Sequence, residues 1–387
     1  MMNPITFPDD SRSILAIPNS LLAHFGAKPR HETLPELDRA IQGKKKIAWI
    51  LLDGLGSVHL RAHLPESAFL RTNTIATVTS VFPPTTVAAT ASCYSAQSPI
   101  EHGWLGWHML MKECATDVTA FTSEGFYTGK RVAGPPPVPQ ALNYLSLFEQ
   151  IRTVNPDARL TALSPMPAMF ERGADEHIRY RDLDQGLSRL RTIDALDSPA
   201  LTMLYYQQPD AIQHSTGTDS METRRTFRDL NEKIESIAAR LNDTMLIISS
   251  DHGLTNVSET IDIFQMPDLM ETLILPPSLE SRAAAMFIHP HRVRDFERIA
   301  AERFPDFLWA PREKARALLG KGNPNPRIDD FLGSGVLIAT GSRAIECSLP
   351  NHPPRDALKA RHSGLTKEEM LVDVIVRDCR KDENHAF

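Results

Sequence analysis

Cysteine is scarce in this chain. Among 387 residues there are four, Cys93, Cys114, Cys347 and Cys379. None forms a CxxC pair and no spacing suggests a disulfide framework, so reduced and mostly buried thiols are expected. Long apolar runs are lacking too, and none could span a bilayer. The start, "MMNPITFPDDSRSILAIPNS", lacks a basic stretch followed by an apolar core and a small-residue cleavage site. These absences lead to the expectation of a cytoplasmic protein without a membrane partner. There is no basic excess: the formal net charge is −6, which argues against a nucleic-acid or anionic-membrane partner. The run Lys44-Lys45-Lys46 is short and reads as a solvated strand entry. A dinucleotide fingerprint is incomplete as well. Gly54 and Gly56 follow a strand, but the third glycine position holds His59.

What is present is an ordinary globular composition, 42% hydrophobic and 23% charged. The length suits one large α/β domain with an insertion, or two domains. Five continuous apolar runs read as buried strands: "KIAWILLD" (46–53), "ARLTALSP" (158–165), "ALTMLYYQ" (200–207), "TMLIISSD" (244–251) and "LVDVIVRD" (371–378). Continuous rather than alternating runs suit a parallel sheet covered on both faces. Helical patterns lie between them, clearest over 219–242, where Met221, Phe227, Leu230, Ile234, Ile237 and Leu241 share one face. Strands alternating with helices give the expected fold class: α/β, doubly wound around a mostly parallel sheet. Residues 256–345 read differently, with "GKGNPNP" and two shorter strand candidates, "AAAMFIHP" and "SGVLIATG". They are expected to form a small α/β insertion or cap on a core of 1–255 and 346–387. The segment "AGPPPVPQ" (133–140) is a surface connection.

Three of these runs lead to acids. Asp53 ends "WILLD", Asp251 ends "LIISSD", and Asp210 follows "LTMLYYQQP". Ligands of open α/β sheets bind beyond the carboxyl ends of the strands. A lone Asp at a strand end is usually a turn former or a helix cap. Three together on one edge would repel one another unless a cation intervened. His252 adjoins Asp251 and His214 lies four residues after Asp210, and such mixed oxygen and nitrogen donors suit zinc or a comparable ion. The histidines outside this set, such as His59, His63, His289 and His291, read as ordinary hydrogen-bonded residues.

A hydroxyl comes next. Pro83-Pro84 cannot continue a helix, but "TTVAATASCYSA" can begin one, so Thr85 or Thr86 stands at a helix start. Exposed amides and the helix dipole favour anions there. An ordinary threonine N-cap is the plain reading; beside a cation cluster the same place suits a nucleophile.

At this point the chain resembles the alkaline phosphatase superfamily, specifically its type I phosphodiesterase/nucleotide pyrophosphatase branch. The resemblance runs in order through "LLDGLG", "VFPPTTVAATAS", "PIEHGWLGW", "QQPDAIQHSTG", "SSDHG" and "ARHSGLTKEEMLV". It implies two divalent metal ions, zinc by donor type with manganese as the alternative. Asp210, His214 and His362 would hold one ion, and Asp53, Asp251 and His252 the other. Thr86 would bind this second ion and act as the nucleophile. An ungapped count back from Pro99 and His102-Gly103 places the family nucleophile on Thr86 rather than Thr85. Thr366 and Glu369 look like a capping box, which leaves His362 in the loop before it.

There are departures from the pattern. The same count puts Trp107 where the family has an asparagine that donates to the phosphoryl oxygen. Its indole could donate instead or stack on a ring, or Trp104 and Trp107 could both be packing residues. Gln213 replaces a glycine just before His214. The implied activity is hydrolysis of phosphodiesters or phosphoanhydrides through a covalent threonine intermediate. The partner would be a small phosphorylated substrate, nucleotides included, and a homo-oligomer is allowed for. Phosphomonoester or phosphonate hydrolysis on the same scaffold, and a non-catalytic metal- or nucleotide-binding protein, are the alternatives. A monoesterase needs extra cations for the third charged oxygen; Arg172, Arg179, Arg343 and Arg361 are the candidates. A sulfatase is disfavoured, because Thr86 does not fit a Cys or Ser maturation motif.

Overall fold

The computed structural model describes residues 5–165, 171–350 and 357–380. Seven strands form its central sheet: β1 Lys46–Leu52, β2 Thr74–Thr79, β3 Arg159–Leu163, β4 Glu176–Ile178, β5 Ala200–Tyr206, β6 Thr244–Ser249 and β7 Leu371–Asp378. Their order is β2-β7-β6-β1-β5-β3-β4. β1 pairs parallel with β5 and β6, β5 with β3, and β3 with β4. β7 alone runs antiparallel to its neighbours β6 and β2. The expected fold class is the observed one, a mostly parallel sheet with helices on both faces.

All five apolar runs are strands of this sheet. Side chains of a strand alternate between faces, and β1 divides accordingly. Ile47, Trp49 and Leu51 enter one hydrophobic core, while Ala48, Ile50 and Leu52 enter the other. Helices Ala16–His24, Thr86–Ser95 and Leu147–Val154 supply side chains to the first core. Helices Leu183–Asp194 and Met221–Ala238 cover the second. The latter is the helix expected over 219–242, and Ser220 caps it by accepting from the Thr223 amide at 3.0 Å. β2 and β4 escaped the sequence reading. Both are partly exposed edge strands, and such strands make no continuous apolar run.

A second, antiparallel sheet has six strands. In spatial order they are Phe307–Pro311, Gly335–Ala339, Ala283–Ile288, Leu273–Leu279, His108–Met111 and Thr116–Thr119. "AAAMFIHP" and "SGVLIATG" supply two of them. The sheet is not contained in 256–345, because its last two strands come from 108–119. One face closes a small core with helix Val293–Arg303; the other, through Ala283, Ala285, Val336 and Ile338, joins the main core. Residues 133–136 are mostly exposed, and Pro137–Ala141 forms a short helix. Among the described residues, no helix is long and apolar enough to cross a membrane.

Candidate active site

β1, β5 and β6 are adjacent and parallel, so their carboxyl ends share one edge of the sheet. Asp53 directly follows β1. Its amide donates to the Tyr206 carbonyl at 2.9 Å, and its own carbonyl accepts from the Asp210 amide at 2.9 Å. Gly54 turns the chain away at φ +74°, and a Cβ there would lie 2.8 Å from the Asp210 Cα. Only glycine combines that backbone with that approach. The Gly54 amide donates to Asp251 Oδ1 at 3.1 Å, and Gln213 Nε2 donates to the Gly54 carbonyl at 2.9 Å. One turn thus ties all three acid-bearing segments together, and Gln213 is one of its fasteners.

The histidines arrive by three routes. Asp210 opens helix Asp210–Thr216, and one turn later His214 points Nε2 at Asp210 Oδ1, 3.3 Å away. His214 Nδ1 donates to the Ala360 carbonyl at 2.7 Å, which fastens strand Ala360–Arg361 and the His362 that follows it. The His362 ring lies 5.2 Å from that of His214 and 4.1 Å from that of His252, centre to centre. Ser363 adopts φ +94°, uncommon for a residue other than glycine, and its hydroxyl lies 3.0 Å from His362 Nδ1. The expected capping box, Thr366 with Glu369, is formed. The buried Glu369 carboxylate also receives Arg282 at 2.7 Å through both oxygens, and the Glu369 carbonyl accepts from the Gly253 amide at 2.8 Å. His252 Nδ1 faces the Gly253 carbonyl at 3.1 Å. Its Nε2 therefore looks inward, 3.4 Å from Asp251 Oδ2 and 3.5 Å from Asp53 Oδ1.

The structure separates Thr85 from Thr86. Thr85 is the N-cap of helix Thr86–Ser95, but its hydroxyl turns away and donates to Glu280 Oε1 at 2.6 Å. The Thr86 hydroxyl faces the acids. It lies 3.2 Å from His252 Nε2, with Asp53 Oδ2 and Oδ1 at 3.4 and 3.5 Å. Tyr205, near the end of β5, also donates its hydroxyl to Asp53 Oδ2. Trp107 has an exposed ring, packed edge-on against Phe121 at 5.8 Å, and its amide donates to Glu280 Oε1 at 2.7 Å. Trp104 is a packing residue: buried, with its indole donating to the Leu142 carbonyl at 2.9 Å. Glu280 itself follows Leu279, whose φ is +76°. Such backbone strain persists only where the surroundings enforce it.

Burial and like charge dominate the electrostatics. Burial, then the charges of Asp251 and Asp210, pushes the Asp53 carboxyl far above its usual range. Burial raises Asp251 to about 7. Burial also works against ionised Asp210, but the charge of His214 outweighs it and holds this acid low. His214 is raised to about 9, because Asp210 overcomes the effect of burial. His362 is pushed well down by burial and by its two histidine neighbours. Asp251 Oδ2 is buried without a hydrogen-bond donor, and Asp210 Oδ1 has only His214 Nε2 at 3.3 Å. Two groups bring their donor atoms within 4.8 Å of one another: Asp53, Asp251 and His252, and Asp210, His252 and His362. Buried carboxylate oxygens among imidazole nitrogens fit divalent cations of the zinc type. His252 stands between the two groups, although the motif carry-over gave it to one.

All seven expected ligand-type residues converge here. The four arginine candidates do not. Arg172 bonds to the Tyr144 carbonyl beside Glu149, Arg343 to Asp306, and Arg361 to Glu346, while Arg179 lies near Glu171. Sequence reasoning missed Tyr205, Glu280 and the Arg282–Glu369 pair. Tyr205 had a signal in its place at a strand end. Glu280 lies in a hairpin whose bend nothing in its composition marks.

An α/β sheet with acids, histidines and a helix-start hydroxyl at its carboxyl edge defines a metal-dependent hydrolase of the alkaline phosphatase kind. The chain belongs to the type I phosphodiesterase / nucleotide pyrophosphatase family, which matches residues 47–328. It is therefore a hydrolase of phosphodiester and pyrophosphate bonds by family. Among solved structures it is similar to murine ectonucleotide pyrophosphatase / phosphodiesterase 5, with 17% identity and a TM-score of 0.65 over 85% of this chain and 87% of that one. An inactive form of that murine protein, in complex with AMP, matches at 16% identity and a TM-score of 0.64, over 86% and 87%. Phosphonoacetate hydrolase from Sinorhizobium meliloti, in complex with phosphonoformate, matches at 16% and 0.62, over 88% and 91%. A search of curated proteins finds no match.

Proposed function

We propose that this protein cleaves phosphodiester or phosphoanhydride bonds in a small substrate, nucleotides included, through a covalent intermediate on Thr86. The Thr86 hydroxyl, 3.2–3.5 Å from His252 and Asp53, carries this reading. Asp53, Asp251 and His252 would hold one divalent ion and Asp210, His214 and His362 another, zinc by donor type with manganese the alternative. When bound, the ions supply the positive charge that offsets the phosphoryl oxygens and the oxygens entering and leaving. Thr86 Oγ1 attacks phosphorus; the new P–O bond forms as the bond to the leaving oxygen breaks. Water then attacks this threonyl phosphodiester, a nucleotidyl-threonine when the substrate is a nucleotide; the bond to Thr86 Oγ1 breaks, a phosphate monoester leaves and the hydroxyl is restored. The first amides of helix Thr86–Ser95 add donors for a phosphoryl oxygen. The arginine engagements favour a diester, which carries one charged oxygen fewer than a monoester.

The test compares bis-(p-nitrophenyl) phosphate with p-nitrophenyl phosphate on chelated, zinc-reconstituted protein. The diester is expected to turn over faster, and a monoester preference would overturn the assignment. Absence of zinc-dependent activity on both would redirect the search to C–P bonds, given the phosphonoacetate hydrolase neighbour. Thr86→Ala is expected to lower kcat at least about 1,000-fold, as loss of a nucleophile does, with metal content unchanged. Nucleotides follow as substrates, since the murine neighbour was solved with AMP.

A further inference from the structure

His59 and His63 were expected to be ordinary hydrogen-bonded residues. Each does make such a bond, and each has a second ring nitrogen left over. They stand four residues apart on helix Ser57–His63, on one face, with ring centres 5.9 Å apart and planes 17° from parallel. His59 Nε2 meets the Leu254 carbonyl at 2.8 Å, and His63 Nε2 meets the Thr218 carbonyl at 2.8 Å. A carbonyl only accepts, so Nε2 is the donor in both rings, and in the neutral imidazole Nδ1 is left with the lone pair. Both side chains are 6% exposed, and His63 Nδ1 is buried with no hydrogen-bond partner. The Asp219 carboxylate completes the group: one donor atom from each residue lies within 4.8 Å of the others. The His63 Nδ1, buried without a partner, is costly unless a cation or a donor meets it.

We propose that His59, His63 and Asp219 form a further cation site, separate from the strand-edge centre, that takes zinc or a comparable divalent transition ion. Two imidazole nitrogens and one carboxylate oxygen make a three-ligand set whose fourth position is left to water. Asp219 is exposed, so that position faces solvent. The outer ring of contacts is already built. The two carbonyls hold the rings, and Asn256 Nδ2 holds Asp219 Oδ2 at 2.9 Å, so each side chain is fixed by a partner behind it, as ligands at metal sites are. The location gives the ion a role. Leu254 closely follows Asp251 and His252, and Thr218 follows the helix of Asp210 and His214. An ion here would brace, from helix Ser57–His63, both loops that lead from the strand-edge residues.

The experiment measures zinc per chain by mass spectrometry after loading and dialysis of the 387-residue chain. His63→Ala and Asp219→Asn are each expected to hold one zinc equivalent fewer than the wild type. Asp219→Asn keeps its shape on an exposed residue, so a misfolded His63→Ala does not spoil the comparison. Cobalt(II) gives a second readout: the visible absorption lost with Asp219→Asn is expected to persist in Asp210→Asn. Equal zinc content in wild type, His63→Ala and Asp219→Asn would overturn the site and leave a water or a shared proton in the gap. Failure of the strand-edge centre reads differently, as unchanged zinc content in Asp53→Asn and Asp210→Asn.

Discussion

Thr85 and Thr86 are neighbours with one side chain and opposite surroundings. Thr86 faces Asp53 and His252, whereas Thr85 is bonded to Glu280, which also holds the Trp107 amide. The Glu280 carboxyl, pushed up by burial, thus joins helix Thr86–Ser95 to the 104–108 segment. Glu280→Ala frees both partners and loosens that wall. It is expected to raise KM for a diester severalfold while metal content holds; unchanged KM and kcat would show that the wall is set elsewhere. His102 gives a prediction independent of metal. Burial drags its imidazole from 6.5 to about 3, and its Nδ1 accepts from the Trp104 amide at 3.0 Å. Between those two values the unfolded chain binds a proton that the folded chain refuses, so stability rises with pH there and is eroded by acid. His102→Asn is expected to lower stability overall yet flatten its pH dependence over that window, read from urea midpoints. At this scale the sequence was most legible where chemistry is local: the acids after strands and the hydroxyl at a helix start. Glu280 was not legible, because a carboxylate in a hairpin looks like any solvated one until its neighbours are known.

At the scale of elements, the turn after β1 carries the largest share of the site. Gly54 has φ +74° and no room for a Cβ against the Asp210 backbone. Gly54→Ala imposes a left-handed cost of about 1–2 kcal/mol and pushes two acid-bearing segments apart. A melting temperature lower by several degrees, with most activity gone, is the expected outcome; calorimetry and the diester assay would read it. Buried strands were legible because water is excluded from both of their faces, which forces continuous apolar runs. The edge strands β2 and β4 keep polar or exposed positions and left no such trace. Only two of the six strands of the second sheet were legible, Ala283–Ile288 and Gly335–Ala339, which carry buried apolar runs. Leu273–Leu279 contains two prolines and Phe307–Pro311 is partly exposed, while His108–Met111 joins through a single paired position, Leu279 with His108.

For the whole molecule, the strand-edge acids are a liability that cations would relieve. Asp53 and Asp251 are both held above the carboxylate range, chiefly by burial, and Asp251 Oδ2 has no donor. Chelation is therefore expected to lower the melting temperature, and zinc to restore it. Each bound ion contributes about 2.7 kcal/mol when free metal is a hundredfold above its Kd. A melting temperature indifferent to chelator and zinc would count against cations at this edge. Distant segments also meet here through the Arg282–Glu369 pair, which is fully buried and ties the second sheet to the capping box after His362. Removing one partner of such a pair costs about 3–5 kcal/mol, so the second sheet and the loop of His362 are coupled in stability.

By itself the sequence determined the strands of the core, the acids that follow them and the helix that opens at Thr86. Each follows from local causes: exclusion of water from both strand faces, proline at a helix start, and carboxylates that only a strand end leaves free. The tertiary structure alone decided which side chains meet. It put His252 between two groups of acids and histidines, turned Thr86 rather than Thr85 toward them, and sent the arginines to other partners. It also brought Asp219 to His59 and His63, which a reading of residues singly had set aside. The physical reason is that strand order and loop path set these distances, and neither is written in any one window of the chain.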